Sequence, residues 1–198
     1  MFVTEAPRER RALIVVDPQP DFFEGGALPV TGATKTAEEI AAYVRTRGDE
    51  YKLRIVTQDW HLDPGDHWSD SPDYVTSWPV HCAADSPGAQ VHAALAGEAW
   101  DAVIRKGLHE GAYSGFEGRG ADGSTLVEVL HGAGVDNLTI VGFATDHCVK
   151  ATALDARALG FRVTVALDLC AGVDPETTSA AISTMRDAGV AITTSRDL

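Results

Sequence analysis

The chain has 198 residues, 44% hydrophobic and 23% charged, with 29 acidic against 16 basic side chains and a formal charge of -13. That length fits one domain with a sizeable core, and the acidic balance, with no Lys/Arg cluster beyond Arg8, Arg10 and Arg11, speaks against nucleic acid as a partner. Each apolar run is interrupted within about eight positions, which argues against a membrane span or a secretory leader, and three cysteines without CxxC spacing point to a reducing, cytoplasmic setting.

In chain order, a short extension over residues 1–10 precedes a single domain expected over 11–198. Residues 11–16 (RALIVV) form the first strand, with Asp17 at its end, and 34–46 have helical period. The second strand, 53–57, runs into an aperiodic stretch, 59–87, that carries four aromatic residues and three histidines. A loop of that length in a compact domain is usually functional or disordered, and its composition favours function. The third strand, 102–105, is followed by Lys106 and by a glycine-rich segment to 123 with Tyr113 and Phe116. A helix at 124–133, a strand at 138–143, a helix at 146–159, a strand at 162–167, a helix at 175–188 and a strand at 190–193 complete the chain. Gly134, Gly160 and Gly189 are the stop signals. Short strands rich in Val and Ile with little alternation belong to a sheet covered on both faces. Right-handed crossovers then give an α/β fold, a three-layer α/β/α open sheet of about six mainly parallel strands.

Two groups of residues carry chemistry. Asp59, His61, His67 and His81 combine a carboxylate with neutral imidazoles, a donor set that suits Zn, Fe or Mn better than Ca or Mg. Asp63, Asp66, Asp70 and Asp73 compete for the carboxylate position, and Asp59 is preferred because it leaves a strand end. The other group is Asp17, Lys106 and Cys148, which follow three strands whose carboxyl ends face one side of a parallel sheet. Cys148 reads as a nucleophile made acidic by an early helical turn and a nearby cation. Asp17 reads as its proton acceptor and Lys106 as the cation that biases both. Taken singly, each has a plainer reading: a core thiol, a cap, a solvated lysine.

The segments ALIVVDPQPDFFEGGAL, TQDWHLDPGDHWS, YVTSWPVHC, RKGLHEGAYSGFEG and VGFATDHCVKATALDA together resemble the nicotinamidase/pyrazinamidase family of isochorismatase-like cysteine hydrolases, over essentially the whole chain after residue 10. The resemblance implies Asp17, Lys106 and Cys148 as the catalytic triad and Asp59, His61, His67 and His81 as ligands to one divalent metal ion that orients a pyridine nitrogen. It also implies a cis peptide between Phe143 and Ala144, with the backbone N–H groups of Ala144 and Cys148 as an oxyanion hole. Phe22, Trp78 and Tyr113 are the expected aromatic walls of the substrate pocket, joined there by Phe143 and His147, the latter as a supporting group and not the base. The implied reaction is hydrolysis of nicotinamide to nicotinic acid and ammonia through a cysteine thioester, with pyrazinamide also accepted, in nicotinamide salvage toward NAD.

Three alternatives stand beside it. A sibling amidohydrolase would act on another small amide, carbamoyl or ureido compound. A metallohydrolase would attack with bound water, and a non-enzymatic protein would use the metal only to stabilise its loop. Pro18 and Pro20 depart from the usual family wording, and Cys82 and Cys170 read as structural or incidental thiols. The partner is a small-molecule carboxamide, and a homo-oligomer is compatible with the chain.

Overall fold

The computed structural model describes residues 10–198, so the extension assigned to residues 1–10 lies, apart from Arg10, outside the described residues. Six strands, β1 (Arg11–Val16), β2 (Leu53–Asp59), β3 (Ala102–Lys106), β4 (Asn137–Phe143), β5 (Arg162–Ala171) and β6 (Ala191–Thr193), form one sheet in the order β3-β2-β1-β4-β5-β6. Every pairing is parallel. The helices are α1 (Ala33–Arg47), α2 (Leu126–Gly132), α3 (Lys150–Ala158) and α4 (Pro175–Asp187).

All six residues of β1 are buried, because both faces of the sheet are covered. Ala12, Ile14 and Val16 meet α2, α3 and α4 through Leu126, Leu130, Ala153 and Met185. Leu13 and Val15 meet α1 through Ala37, Ile40 and Val44. The chain leaves β1 toward β2 on one side and returns at β4 on the other, so the strand order reverses beside β1. Such a reversal opens a crevice at the carboxyl ends of the strands.

Helix ends follow local chemistry. Asp174 caps α4 by accepting the N–H groups of Glu176 and Thr177 at 2.8 and 3.1 Å, with Pro175 in the first turn. Thr125 and Glu128 make a capping box on α2. Gly142 is required: at φ 119°, a Cβ there would sit 2.2 Å from the Val16 carbonyl oxygen. The β4–β5 register shifts at the same place, between Ile140 and Gly142.

The structure departs from the sequence expectation at two places, while the aperiodic stretch between β2 and β3 is as expected. β5 runs on to Ala171 because Asp168, which breaks the apolar run, is held by the N–H and hydroxyl of Ser195 at 2.7 and 2.6 Å. The helix expected from residue 146 begins as a π-helical turn, Thr145–Val149, before α3. The crossover from β2 to β3 contains only short 3-10 turns at Gly65–His67 and Pro87–Ala89.

The segment between β1 and α1 is tied down by Glu24, whose carboxylate accepts the Gly32 and Thr34 N–H groups at 2.6 and 3.0 Å and bonds the Thr34 hydroxyl. These bonds, led by the one from the Thr34 hydroxyl, lower its pKa from 4.5 to about 2. A carboxyl whose folded pKa is depressed stabilises the protein above its unfolded pKa and loses that contribution as pH falls through the folded value. Glu24→Gln is therefore expected to lower the thermal midpoint at pH 7. The gap to wild type, read by circular dichroism, should shrink steadily between pH 4.5 and pH 2; a gap that does not change with pH would refute the assignment.

Candidate active site

The site is built from four strand ends. β1 ends at Val16 and the chain turns through Asp17, whose φ of 45° lies in the left-handed region. Such a conformation costs about 1–3 kcal/mol, while a fully buried Leu or Ile contributes about 1.5–3 kcal/mol. The apolar residues of β1 outweigh the strain several times over. β2 presents Thr57 and Asp59 two residues apart, hence on one face, and β3 places Lys106 directly opposite Asp59. Cys148 is carried by the π-helical turn after β4.

Lys106 is the hub, and only 2% of it is exposed. Its Nζ lies 2.9 Å from Asp17 Oδ2 and donates to Asp59 Oδ1, to the Ala112 carbonyl at 3.2 Å and to Cys148 Sγ at 3.5 Å. The Asp17 contact is an ion pair, and Oδ2 has no other partner among the described residues. Asp17, Asp59 and Cys148 each bring one polar atom within 4.8 Å of the others. The Phe143–Ala144 peptide is cis, and the N–H groups of His147 and Val149 both bond the Ala144 carbonyl at 3.1 Å.

Burial raises the Asp17 carboxyl above its ordinary range, against the pull of Lys106. Burial pushes the Cys148 thiol well up, and the carboxylates of Asp17 and Asp59 add to the push while Lys106 opposes it. That direction runs against the acidic thiol expected from sequence, because desolvation of the anion outweighs one nearby cation. A neutral thiol beside an unusually basic carboxylate is suited to proton transfer at the moment of attack. Lys106 stays protonated, since the two carboxylates raise its pKa more than burial lowers it.

Asp59 faces both ways. Its Oδ1 holds Lys106, while its Oδ2 lies 3.9 Å from His61 Nε2 and 4.0 Å from His81 Nε2. Against the upward push of burial, Lys106 and the imidazoles of His61 and His81 hold its carboxyl below the usual range. His61, His67 and His81 each offer one nitrogen within 4.8 Å of the other two. His61 Nδ1 bonds the Gly107 carbonyl and His81 Nδ1 the Pro79 carbonyl at 2.8 Å, which puts the proton on Nδ1 and an open lone pair on Nε2. His61 Nε2 is buried with no partner among the described residues. Burial depresses the pKa of all three rings, leaving them neutral. An orphaned inward acceptor, three neutral imidazoles and an anionic carboxylate fit a divalent ion of the Zn, Fe or Mn kind.

A cavity of about 250 Å³ opens over these groups, lined by Phe22, Trp78, Tyr113 and His147 together with Asp59, His67, His81, Ala144 and Cys148. Tyr113 stacks on His147 at 6.2 Å, Trp78 meets His147 edge-on at 5.3 Å, and the Trp78 indole donates to the Tyr113 hydroxyl at 3.0 Å. A larger hollow, about 780 Å³, runs along β3 between Trp60, Trp100, Arg105 and Arg119. It holds none of Asp17, Lys106, Cys148 and the three clustered histidines, so the smaller cavity is the candidate site.

A family model, the isochorismatase domain, matches residues 11–197. The chain belongs to the isochorismatase family. It is 49% identical over 180 residues to the nicotinamidase/pyrazinamidase of Mycobacterium tuberculosis, covering 91% of this chain and 96% of that one. Among solved structures it is similar to PnC1 from L. infantum in complex with nicotinate, with a TM-score of 0.85, 34% identity and 98% of each chain covered. It is also similar to the pyrazinamidase of Pyrococcus horikoshii in complex with zinc, with a TM-score of 0.80, 38% identity and 93% and 99% of the two chains covered.

One pocket expectation for this isochorismatase-family site is corrected. Phe143 is fully buried and packs 5.0 Å from Phe23 in the core under α1, not in the cavity. Val141 and Phe143 pack in the core under α1, whereas Cys148 and Val149 pack in the core on the other side of the sheet. Three supporting residues lie within the matching segments, where residue type alone does not mark their roles. Thr57 donates to Asp17 Oδ1 at 2.6 Å. Gln19 clamps the Asp59 backbone, donating to its carbonyl at 2.7 Å and accepting its N–H at 2.8 Å. Asp146 ties the turn that carries Cys148 to α4 by accepting the Val173 and Asp174 N–H groups at 3.0 and 3.3 Å and the Thr177 hydroxyl at 2.5 Å. Its place two positions before Cys148 was the only signal Asp146 could have given. Pro18 and Pro20 leave the turn intact: Phe22 still lines the cavity. Cys82 serves through its backbone, donating to Asp21 Oδ2 at 2.7 Å and accepting the His61 N–H at 3.0 Å.

Proposed function

We propose that the protein is a nicotinamide amidohydrolase with a cysteine nucleophile, a single catalytic domain over residues 11–198 working in the cytoplasm and accepting pyrazinamide as well. The observation that carries this reading is the meeting of Asp17, Asp59 and Cys148 on one buried ammonium beneath an aromatic cavity. The curated relative that is 49% identical, a nicotinamidase/pyrazinamidase, supports the same substrate.

The carboxamide ring lies between Phe22, Trp78 and Tyr113, where a planar heteroaromatic stacks well. Asp17 takes the Cys148 proton as sulfur adds to the amide carbon, and Lys106 stabilises the anionic charge through the exchange. The N–H groups of Ala144 and Cys148 receive the negative charge that develops on oxygen. The C–N bond breaks as protonated Asp17 returns its proton to nitrogen, releasing ammonia and leaving a thioester. Asp17 then deprotonates water, which adds to the thioester carbon. The C–S bond breaks, the proton passes to sulfur, and nicotinic acid leaves. Asp59, His61, His67 and His81 would hold a divalent ion, which supplies a Lewis-acidic anchor for the pyridine nitrogen.

The test is ammonia release from nicotinamide and from benzamide, which keeps the ring and amide but lacks the ring nitrogen. Nicotinamide should be hydrolysed, and benzamide should show a kcat/KM lower by about 100-fold or more, since a site built around a polar atom rejects its deletion. No ammonia from nicotinamide, with release from a carbamoyl or ureido compound instead, would move the protein to a sibling activity.

A further inference from the structure

We infer that Thr57 is a positioning residue that decides which oxygen of Asp17 exchanges a proton with Cys148; this rests on the cysteine-hydrolase reading above. Thr57 is fully buried on β2, beside the end of β1, where the register pairs Val15 with Val56. Its hydroxyl accepts the Asp17 N–H at 3.2 Å and donates to Asp17 Oδ1 at 2.6 Å. One side chain thereby fixes both the backbone and the carboxylate of a residue held in the left-handed region.

The two carboxylate oxygens are made unequal by this arrangement. Oδ1 has a short hydrogen bond and is a poor proton acceptor. Oδ2 has the Lys106 ion pair at 2.9 Å and no hydrogen bond among the described residues. Lys106 also reaches Cys148 Sγ, so the oxygen paired with the ammonium shares that ammonium with the thiol. Without the hydroxyl, the carboxylate can rotate, both oxygens compete for Lys106, and the base loses its fixed aim. Misplacing a reacting group by an ångström costs about 100-fold, so the loss belongs in kcat and not in binding of the ring. The methyl of Thr57 plays a separate part. A Cβ on Gly115 would lie 3.0 Å from Thr57 Cγ2, so the methyl packs against that glycine.

The two parts of the side chain can be removed one at a time in the full chain. Thr57→Val keeps the shape and deletes the hydroxyl, while Thr57→Ser keeps the hydroxyl and deletes the methyl. With nicotinamide as substrate, Thr57→Val should lower kcat by about 10- to 100-fold with KM within about twofold of wild type. Thr57→Ser should return kcat to within about threefold, at unchanged metal content. A Thr57→Val enzyme with wild-type kcat, or equal losses in both variants, would overturn the inference and leave Thr57 a packing residue. Should Thr57→Val fail to fold, Thr57→Ala measured against Thr57→Ser gives the same comparison, with equal kcat again overturning it. Failure of the underlying reading looks different, because wild type itself would then release no ammonia from nicotinamide.

Discussion

Cys148→Ala is expected to abolish ammonia release, lowering kcat by about 10⁴-fold or more, with thermal midpoint and bound metal at wild-type levels. Removal of a covalent nucleophile typically costs this much, because no other group can form the intermediate. The thiol borders the cavity and lies 3.5 Å from Lys106, and it makes no bond to the histidines. The variant should therefore fold and load its ion. The same experiment separates the two ways of attacking an amide in this pocket. If a metal-bound hydroxide were the nucleophile, the alanine variant would keep much of its rate. Trapping sharpens the result: mixing wild type with nicotinamide and quenching in acid should yield protein heavier by one nicotinoyl group, and Cys148→Ala should show none.

Stripping the metal is expected to produce the second largest effect. Extended dialysis against a chelator should lower kcat/KM for nicotinamide by about 100-fold or more, and Zn, Fe or Mn should restore it to different degrees. The thermal midpoint should fall in parallel, since a ligand present at 1,000 times its dissociation constant stabilises the native state by about 4 kcal/mol. Both effects trace to His61 Nε2, which is buried and unpartnered among the described residues, and to an Asp59 oxygen that faces two neutral imidazoles. Full activity in protein shown by elemental analysis to be free of metal would sink the assignment.

Much of this is legible in the sequence. Strands of Val and Ile without alternation announce a sheet covered on both sides, and once the sheet is parallel, Asp17, Lys106 and Cys148 have to emerge on one rim. What the chain does not reveal depends on register and facing. Thr57 looks like an ordinary β-branched strand residue until β1 is paired beside it, and Gln19 looks like a loop amide until it closes on Asp59. Phe143 departs from its expected place because closeness along the chain is not closeness in space: alternate residues of a strand face opposite ways. The state of the Cys148 thiol departs for a related reason. A neighbouring lysine is visible in a motif, whereas the depth of burial that outweighs it is not.

The strand order has a consequence for the order of synthesis. β1 pairs with β4 across 126 positions of sequence, Arg11 against Asn137, and these two strands are the middle of the sheet. A nascent chain that has made β1, β2 and β3 already owns Asp17, Asp59, Lys106 and all three histidines, yet one edge of its central apolar strand is still bare. Long-range pairing of this kind is slow and leaves an edge open to other chains. Cys148, the candidate nucleophile, arrives just behind the strand that closes that edge. A chain released before β4 therefore lacks the candidate nucleophile and leaves that edge exposed, two losses with one cause.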